Sequence, residues 1–179
     1  MRIITGKARG ATLRTLEGND TRPTSERAKE AIFSMLQFEI EGRAVLDLFG
    51  GSGQLGLEAL SRGASHAVIA DASAAAVDVI NKNVAATKLG DGCRVIRGDC
   101  FDVLRRLSGE KFDIVFLDPP YASGLIPRVL EELAPLTKPT SKIVVESGAE
   151  IAENSKYRVI KRAKYGIAHV AVLTPAENV

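Results

Sequence analysis

An α/β fold with a mainly parallel sheet, closed at its far end by an antiparallel hairpin, is what this sequence predicts. Three observations carry it. From about residue 43, short β-branched runs alternate with helical patterns roughly every 20–25 residues, the signature of strand–helix–strand units. Residues 157–173 break that rhythm, because two alternating runs flank Lys164-Tyr165-Gly166 with no room for a helix between them. Between the first strand and its helix, Gly51, Gly53 and Gly56 spell G-x-G-x-x-G, as at a nucleotide-type site.

The elements follow in order. Arg43 to Leu48 reads as the first strand, and Leu55, Ala59 and Leu60 mark a helix that stops at Gly63. His66 to Asp71 is the second strand, followed by a helix through Val77, Ile80 and Val84, spaced by three and four. Cys93 to Arg97 is the third strand, and Phe101, Leu104 and Leu107 lie on a short helix. Phe112 to Leu117 is the fourth strand, with a helix through Ile126, Val129, Leu130 and Leu133 before the strand Lys142 to Glu146. At the front, Ile3-Ile4 and Thr12-Leu13 pair as a small hairpin through Gly6 to Gly10. A helix starts at Thr24, with Ala28, Ile32, Met35 and Leu36 turned inward. The 179 residues make one domain, with 1–40 as an amino-terminal extension and 41–179 as the core.

Composition excludes several chemistries. Cys93 and Cys100 are separated by six residues, a spacing of no common zinc or redox motif, and read as small buried residues of a reducing cytoplasm. Two histidines, His66 and His169, give a histidine-based metal site or a Ser-His-Asp triad little material. Apolar stretches are interrupted by Asp or Arg every few residues, so no membrane span is expected, and the start lacks the apolar core of a signal peptide. The net charge of +2 hides two basic ends. Residues 1–16 carry Arg2, Lys7, Arg9 and Arg14 without an acid, and residues 156–166 carry Lys156, Arg158, Lys161, Arg162 and Lys164 likewise. Such ends suit a phosphate backbone, although basic edge strands also guard against aggregation.

The acids supply the chemistry. Asp47, near the end of the first strand, would repel a pyrophosphate but welcomes an ammonium group. S-adenosylmethionine is a ligand of that kind, with an amino-acid tail, a sulfonium, a ribose and an adenine. Asp71 ends the second strand 20 residues after Gly51, the position of an acid that accepts from ribose hydroxyls. Asp99 follows the third strand, where its carboxylate or a nearby backbone group meets the adenine edge; a helix N-cap explains it nearly as well. Asp118-Pro119-Pro120-Tyr121 follows the apolar run Ile114 to Leu117. The prolines stiffen the turn and donate no N–H, so a carboxylate and backbone carbonyls converge on one point. That arrangement suits a planar amine, with Tyr121 as a stacking face for a base.

These motifs together resemble the class I S-adenosylmethionine-dependent methyltransferases, and more narrowly the bacterial family that methylates a guanine N2 in 16S ribosomal RNA, of the guanine(966)-N(2) type. The resemblance spans nearly the whole chain. It rests on Arg2-Ile3-Ile4-Thr5-Gly6 with Ala8-Arg9-Gly10, on Arg22-Pro23-Thr24, on Asp47 to Gly53 running through Leu55 to Ala64, and on Asp118 to Tyr121. Gly50 stands where the family often has Ala, and Asp71 where Glu is usual. The resemblance implies a three-layer, Rossmann-like fold with a seven-stranded sheet, and S-adenosylmethionine held by Asp47, Gly50, Gly51, Gly53, Asp71, Asp99 and Thr24. It implies an amine gripped by Asp118 and Pro119, a base stacked on Tyr121 and flanked by Pro120, and phosphates held by Arg2, Arg9, Arg14 and Arg22. The implied partner is 16S ribosomal RNA within a partly or fully assembled 30S subunit, in the cytoplasm, with no metal. Similar Pro-Pro-Tyr motifs occur in DNA adenine-N6 and protein glutamine methyltransferases, and a non-catalytic ribosome-assembly factor on the same fold is the remaining alternative.

Overall fold

The computed structural model describes residues 1–16, 26–120 and 123–176, so Arg22, Pro23, Thr24 and Tyr121 lie outside the described residues. A seven-stranded sheet forms the middle layer: β1 (Ala44–Asp47), β2 (His66–Asp71), β3 (Cys93–Arg97), β4 (Phe112–Leu117), β5 (Thr137–Ser147), β6 (Tyr157–Tyr165) and β7 (Ala168–Pro175). Their order is β3-β2-β1-β4-β5-β7-β6, with β1 to β5 parallel and β7 antiparallel to both β5 and β6. Five helices cover the faces: α1 (Glu26–Met35), α2 (Gln54–Ser61), α3 (Ala74–Thr87), α4 (Cys100–Arg106) and α5 (Ile126–Leu133).

Alternation along each strand feeds two cores. Leu46, Val68, Val115, Val145 and Leu173 point to the α4–α5 side, where they meet Val103, Leu104, Val129 and Leu130. Val45, Ile69, Phe116, Val144 and Val172 point to the other side, against Ile32, Phe33, Leu57 and Ile80 of α1 to α3. Strands buried on both faces read as continuous apolar runs, which is why β1, β2 and β4 were conspicuous.

Three details depart from expectation. α1 buries Phe33 and the charged Lys29 as well as Ala28 and Ile32, while Met35 is only half-buried. β5 begins five residues early, at Thr137: the register slips between Phe112 and Ile114, so a polar, proline-containing stretch runs along the edge of β4 before the apolar part starts. The amino-terminal hairpin is reduced to one bridge, Arg2 with Thr12, supported by Ile3 N–H on the Ala11 carbonyl (2.9 Å) and Leu13 N–H on the Met1 carbonyl (2.9 Å).

What the front segment lacks in pairing it gains by docking on α2. The buried Glu58 carboxylate accepts from Ile4 N–H (2.8 Å), Thr5 N–H (3.0 Å) and Arg62 Nε (2.9 Å), and lies 3.2 Å from the ammonium of Lys29. Lys29 also donates to the Arg2 carbonyl (2.7 Å). Burial pushes the Lys29 ammonium below its ordinary pKa, while Glu58 pulls it back up. Gly6, at φ +89°, sits so close that a Cβ there would fall 1.7 Å from the Ser61 carbonyl oxygen.

Candidate active site at the sheet switch point

Strand order reverses between β1 and β4, and in open parallel sheets ligands bind at the carboxyl edge of such a point. The topology lines four acids along that edge: Asp99 after β3, Asp71 ending β2, Asp47 ending β1 and Asp118 just after β4. Neighbouring strands are about 4.8 Å apart, so this row is one connected surface.

The loop from Leu48 to Gly53 folds tightly over it. Gly50 N–H donates to the Ala70 carbonyl (2.7 Å), and Gly53 N–H donates back to the Gly50 carbonyl (2.7 Å). A Cβ on Gly50 would lie 2.6 Å from the Ile69 side chain, and one on Gly56 equally close, so both glycines serve contact between loop, helix and sheet. Gly51 (φ +56°) and Gly53 (φ +80°) adopt left-handed backbone, and nothing lies within 4 Å of where a Gly51 Cβ would stand. Glycine at 51 therefore leaves an open approach to the backbone.

Asp47 is buried, and only one of its oxygens is satisfied: Oδ2 accepts from Gly56 N–H (3.0 Å), while Oδ1 has no hydrogen-bond partner. Burial is the main cause that pushes its pKa up to about 7; the Gly56 bond opposes the shift and the nearby Asp71 charge adds to it. A buried carboxylate oxygen of this kind asks for a donor. An ammonium group meets that demand and a phosphate does not, so the donor set fits S-adenosylmethionine.

Asp71 organises the loop. Its Oδ2 accepts from Gly51 N–H (2.9 Å) and its Oδ1 from Ser73 N–H (2.8 Å), which fixes the carboxylate between the glycine loop and the start of α3. Each oxygen keeps a further lone pair for a hydroxyl. Asp99 takes the alternative role foreseen for it: it caps α4, its Oδ1 accepting from Phe101 N–H (2.9 Å). The carboxylate is thus engaged by its own helix.

Asp118 is half-buried at the mouth of the switch point, Pro119 is buried and Pro120 is exposed. A residue before proline is held in extended backbone, so Asp118 continues the direction of β4 toward the carboxyl edge. The Pro120 carbonyl accepts from Ser123 N–H (3.0 Å), which closes the turn after Pro119.

Arg2, Arg9 and Arg14 are exposed but do not gather in one place. Arg14 reaches the glycine loop through Asn83, a buried side chain with no signal in the sequence pattern. Asn83 Oδ1 accepts from Arg14 N–H (2.8 Å), and its Nδ2 donates to the Arg14 carbonyl (2.9 Å) and the Ser52 carbonyl (2.8 Å). Arg14 and Lys82 also line a groove of about 400 Å³ with Asp78. Arg9, in contrast, belongs to the Gly6–Gly10 loop that docks at Ser61, the far end of α2 from the glycine loop. An eight-residue helix separates them by about 12 Å. Arg2 lies between these two positions, beside Thr12.

Residues 1–174 match the family model described as Conserved hypothetical protein 95. The chain belongs to this family. Among curated proteins it is 38% identical over 133 residues to ribosomal RNA small subunit methyltransferase D of Escherichia coli, covering 74% of this chain and 66% of that one. It is 35% identical over 151 residues to the protein of the same name from Haemophilus influenzae, covering 82% and 78%. The matched segment thus spans about two thirds of the Escherichia coli relative's length. A solved Escherichia coli chain, yhhF, superposes with a TM-score of 0.86 at 32% identity, covering 98% of this chain and 97% of that one. The sheet order and the antiparallel β6–β7 pair are those of the methyltransferase fold expected from the sequence.

Proposed function

We propose that this chain transfers a methyl group from S-adenosylmethionine to the exocyclic N2 of a guanine in 16S ribosomal RNA, acting in the cytoplasm on the RNA of an assembling or assembled small subunit. The observation that carries the reading is the placement of Asp118-Pro119 at the switch point, one strand from a buried Asp47 that asks for a cationic partner. The names of the relatives, ribosomal RNA small subunit methyltransferase D, support the RNA class.

S-adenosylmethionine, when bound, supplies an electrophilic methyl on a sulfonium. Asp47, Asp71 and the backbone of Gly50, Gly51 and Gly53 hold it, with Thr24 and the turn at Asp99 completing the site. The chain's own task is to prepare the amine. The N2 lone pair of guanine is delocalised into the ring and is a poor nucleophile. When the Asp118 carboxylate and the Pro119 carbonyl accept its two hydrogens, the nitrogen pyramidalises and the lone pair becomes directional. Asp118 then stabilises the positive charge that grows on the nitrogen, and as the C–S bond breaks and the N–C bond forms one N2 proton leaves to Asp118 or to water, so catalysis is mainly positioning and electrostatics. Tyr121 and Pro120 support the extruded base. Arg2, Arg14 and Arg22 hold phosphates, which gives affinity without sequence choice, and Arg9 holds one further from the reacting base.

The test is transfer of labelled methyl onto small-subunit particles from a strain lacking this protein, followed by nucleoside analysis. N2-methylguanosine in the 16S RNA is the expected product; N6-methyladenosine, or label in protein, would overturn the reading. Asp118→Ala should abolish transfer, by at least about 10³-fold, with the S-adenosylmethionine dissociation constant changed less than about twofold.

A further inference from the structure

The β6–β7 hairpin is an edge of the sheet that the proposed reaction does not use. Its register fixes where it points. β5 runs parallel to β4, Ser147 at its end faces His169 of β7, and His169 faces Lys164 of β6. The β6–β7 turn therefore stands at the carboxyl edge, on the same side of the sheet as Asp118. It lies two to three strand spacings from β4, about 10–14 Å.

The turn is built to expose apolar surface. Tyr165 faces Ala168 across a two-residue loop of Gly166 and Ile167, with Gly166 at φ +60° as the first loop residue, the position where a tight hairpin turn takes glycine. Such loops are ordinarily polar, yet Ile167 is 62% exposed and Tyr165 36%. Among the described residues these are two of four large hydrophobic side chains so exposed, and only Gly166 separates them in the chain.

The structure also sorts the five cations of 156–166. Lys156 donates to the Glu131 carbonyl (3.2 Å), Lys161 to the Met35 carbonyl (2.6 Å) and Arg162 to the Ile151 carbonyl (2.6 Å). Arg158 pairs opposite Thr174, toward the amino edge. Lys164 alone stands at the turn, exposed, and binds no described residue. Successive strand residues point to opposite faces, so Tyr165 and Ile167 offer a stacking face for a base while the uncommitted ammonium of Lys164 meets a phosphate where the RNA chain passes around the tip.

We propose that the hairpin tip, Lys164 to Ile167, is a second RNA contact that holds an unpaired nucleotide flanking the methylated base. It rests on the RNA reading given above. Stacking of this kind is sequence-tolerant, so the tip adds affinity and orientation, leaving the choice of base to the Asp118 turn.

Steady-state methylation of small-subunit particles by the full chain tests it. Tyr165→Ala is expected to raise the KM for RNA about tenfold with kcat and the S-adenosylmethionine dissociation constant unchanged, and Tyr165→Phe to restore it. Lys164→Glu should raise the RNA KM and lower the slope of its salt dependence by about one or more phosphate equivalents. Lys88→Glu, the same charge change at the amino edge, should leave KM alone. An unchanged KM in Tyr165→Ala overturns the proposal, as does a rise in Lys88→Glu equal to that in Lys164→Glu, which would mean net charge alone. Absence of N2-methylguanosine with the unmodified enzyme rejects the underlying reading; its presence with an unchanged Tyr165→Ala rejects the tip only.

Discussion

With the proposed ammonium partner, Asp47 would couple stability to ligand binding in one residue. In the folded chain burial holds its proton up to about pH 7, whereas an exposed aspartate releases it near 4, as an approximate reference. Between those values the folded state binds more protons than the unfolded one. Its contribution to stability therefore declines as pH rises from about 4 to about 7, and is level above that. Asp47→Asn lacks this cost. Urea unfolding should show the variant gaining on the unmodified chain by about 3 kcal/mol between pH 4.5 and pH 8. The same variant should bind S-adenosylmethionine weakly, because a neutral amide does not replace a carboxylate beside an ammonium. In the unmodified chain a cationic ligand lowers the Asp47 pKa, so calorimetry at pH 6.5 in buffers of different ionisation enthalpy should register release of a fraction of a proton. No release would remove Asp47 from the cofactor site.

At the scale of elements, α2 links two regions: its first turn meets the glycine loop and its last holds the amino-terminal segment. Glu58→Ala would strand the Lys29 ammonium in the core and leave Ile4 and Thr5 N–H groups without their acceptor. Removing one partner of a buried pair costs about 3–5 kcal/mol, and urea denaturation should find a loss in that range. None of this was visible in the sequence. The run Leu55 to Ala64 announced a helix, but its charge on the buried face finds partners only after the front segment folds over it. Strands β1, β2 and β4, in contrast, were legible because burial on both faces leaves an uninterrupted apolar run. The candidate site divides the same way. Asp47, Asp71 and Asp118 declared themselves by ending strands. Asn83 did not, because an amide among Ile80, Val84 and Thr87 on a helix looks like a solvated position until the loop it serves is in place. Arg9 looked equivalent to Arg14 because charge along a chain carries no information about which end of α2 each would reach.

Across the whole molecule, Asn83 is where the amino-terminal segment, α3 and the cofactor loop meet. One buried amide satisfies both backbone groups of Arg14 and the carbonyl of Ser52, so the position of the basic segment and the shape of the glycine loop are fixed by the same three hydrogen bonds. Leaving such groups unsatisfied costs about 1–3 kcal/mol each. Asn83→Ala is therefore expected to destabilise the fold by about 2–4 kcal/mol and to loosen two remote regions together. Hydrogen exchange gives the discriminating readout. The Arg14 amide, which donates to Asn83, should lose protection, and the Gly53 amide, which donates across the glycine loop to Gly50, should lose it in parallel. Amides in β4 and β5, which no Asn83 bond reaches, should change only by the global loss. S-adenosylmethionine affinity should fall, because the glycine loop proposed to receive it is no longer held in one shape. If the Arg14 amide is released while the Gly53 amide and the cofactor dissociation constant stay as they were, the two regions are independent and Asn83 is only a tether for the front segment. Loss at both, with the core amides spared, would establish that the amino-terminal segment and the glycine loop are ordered as one unit.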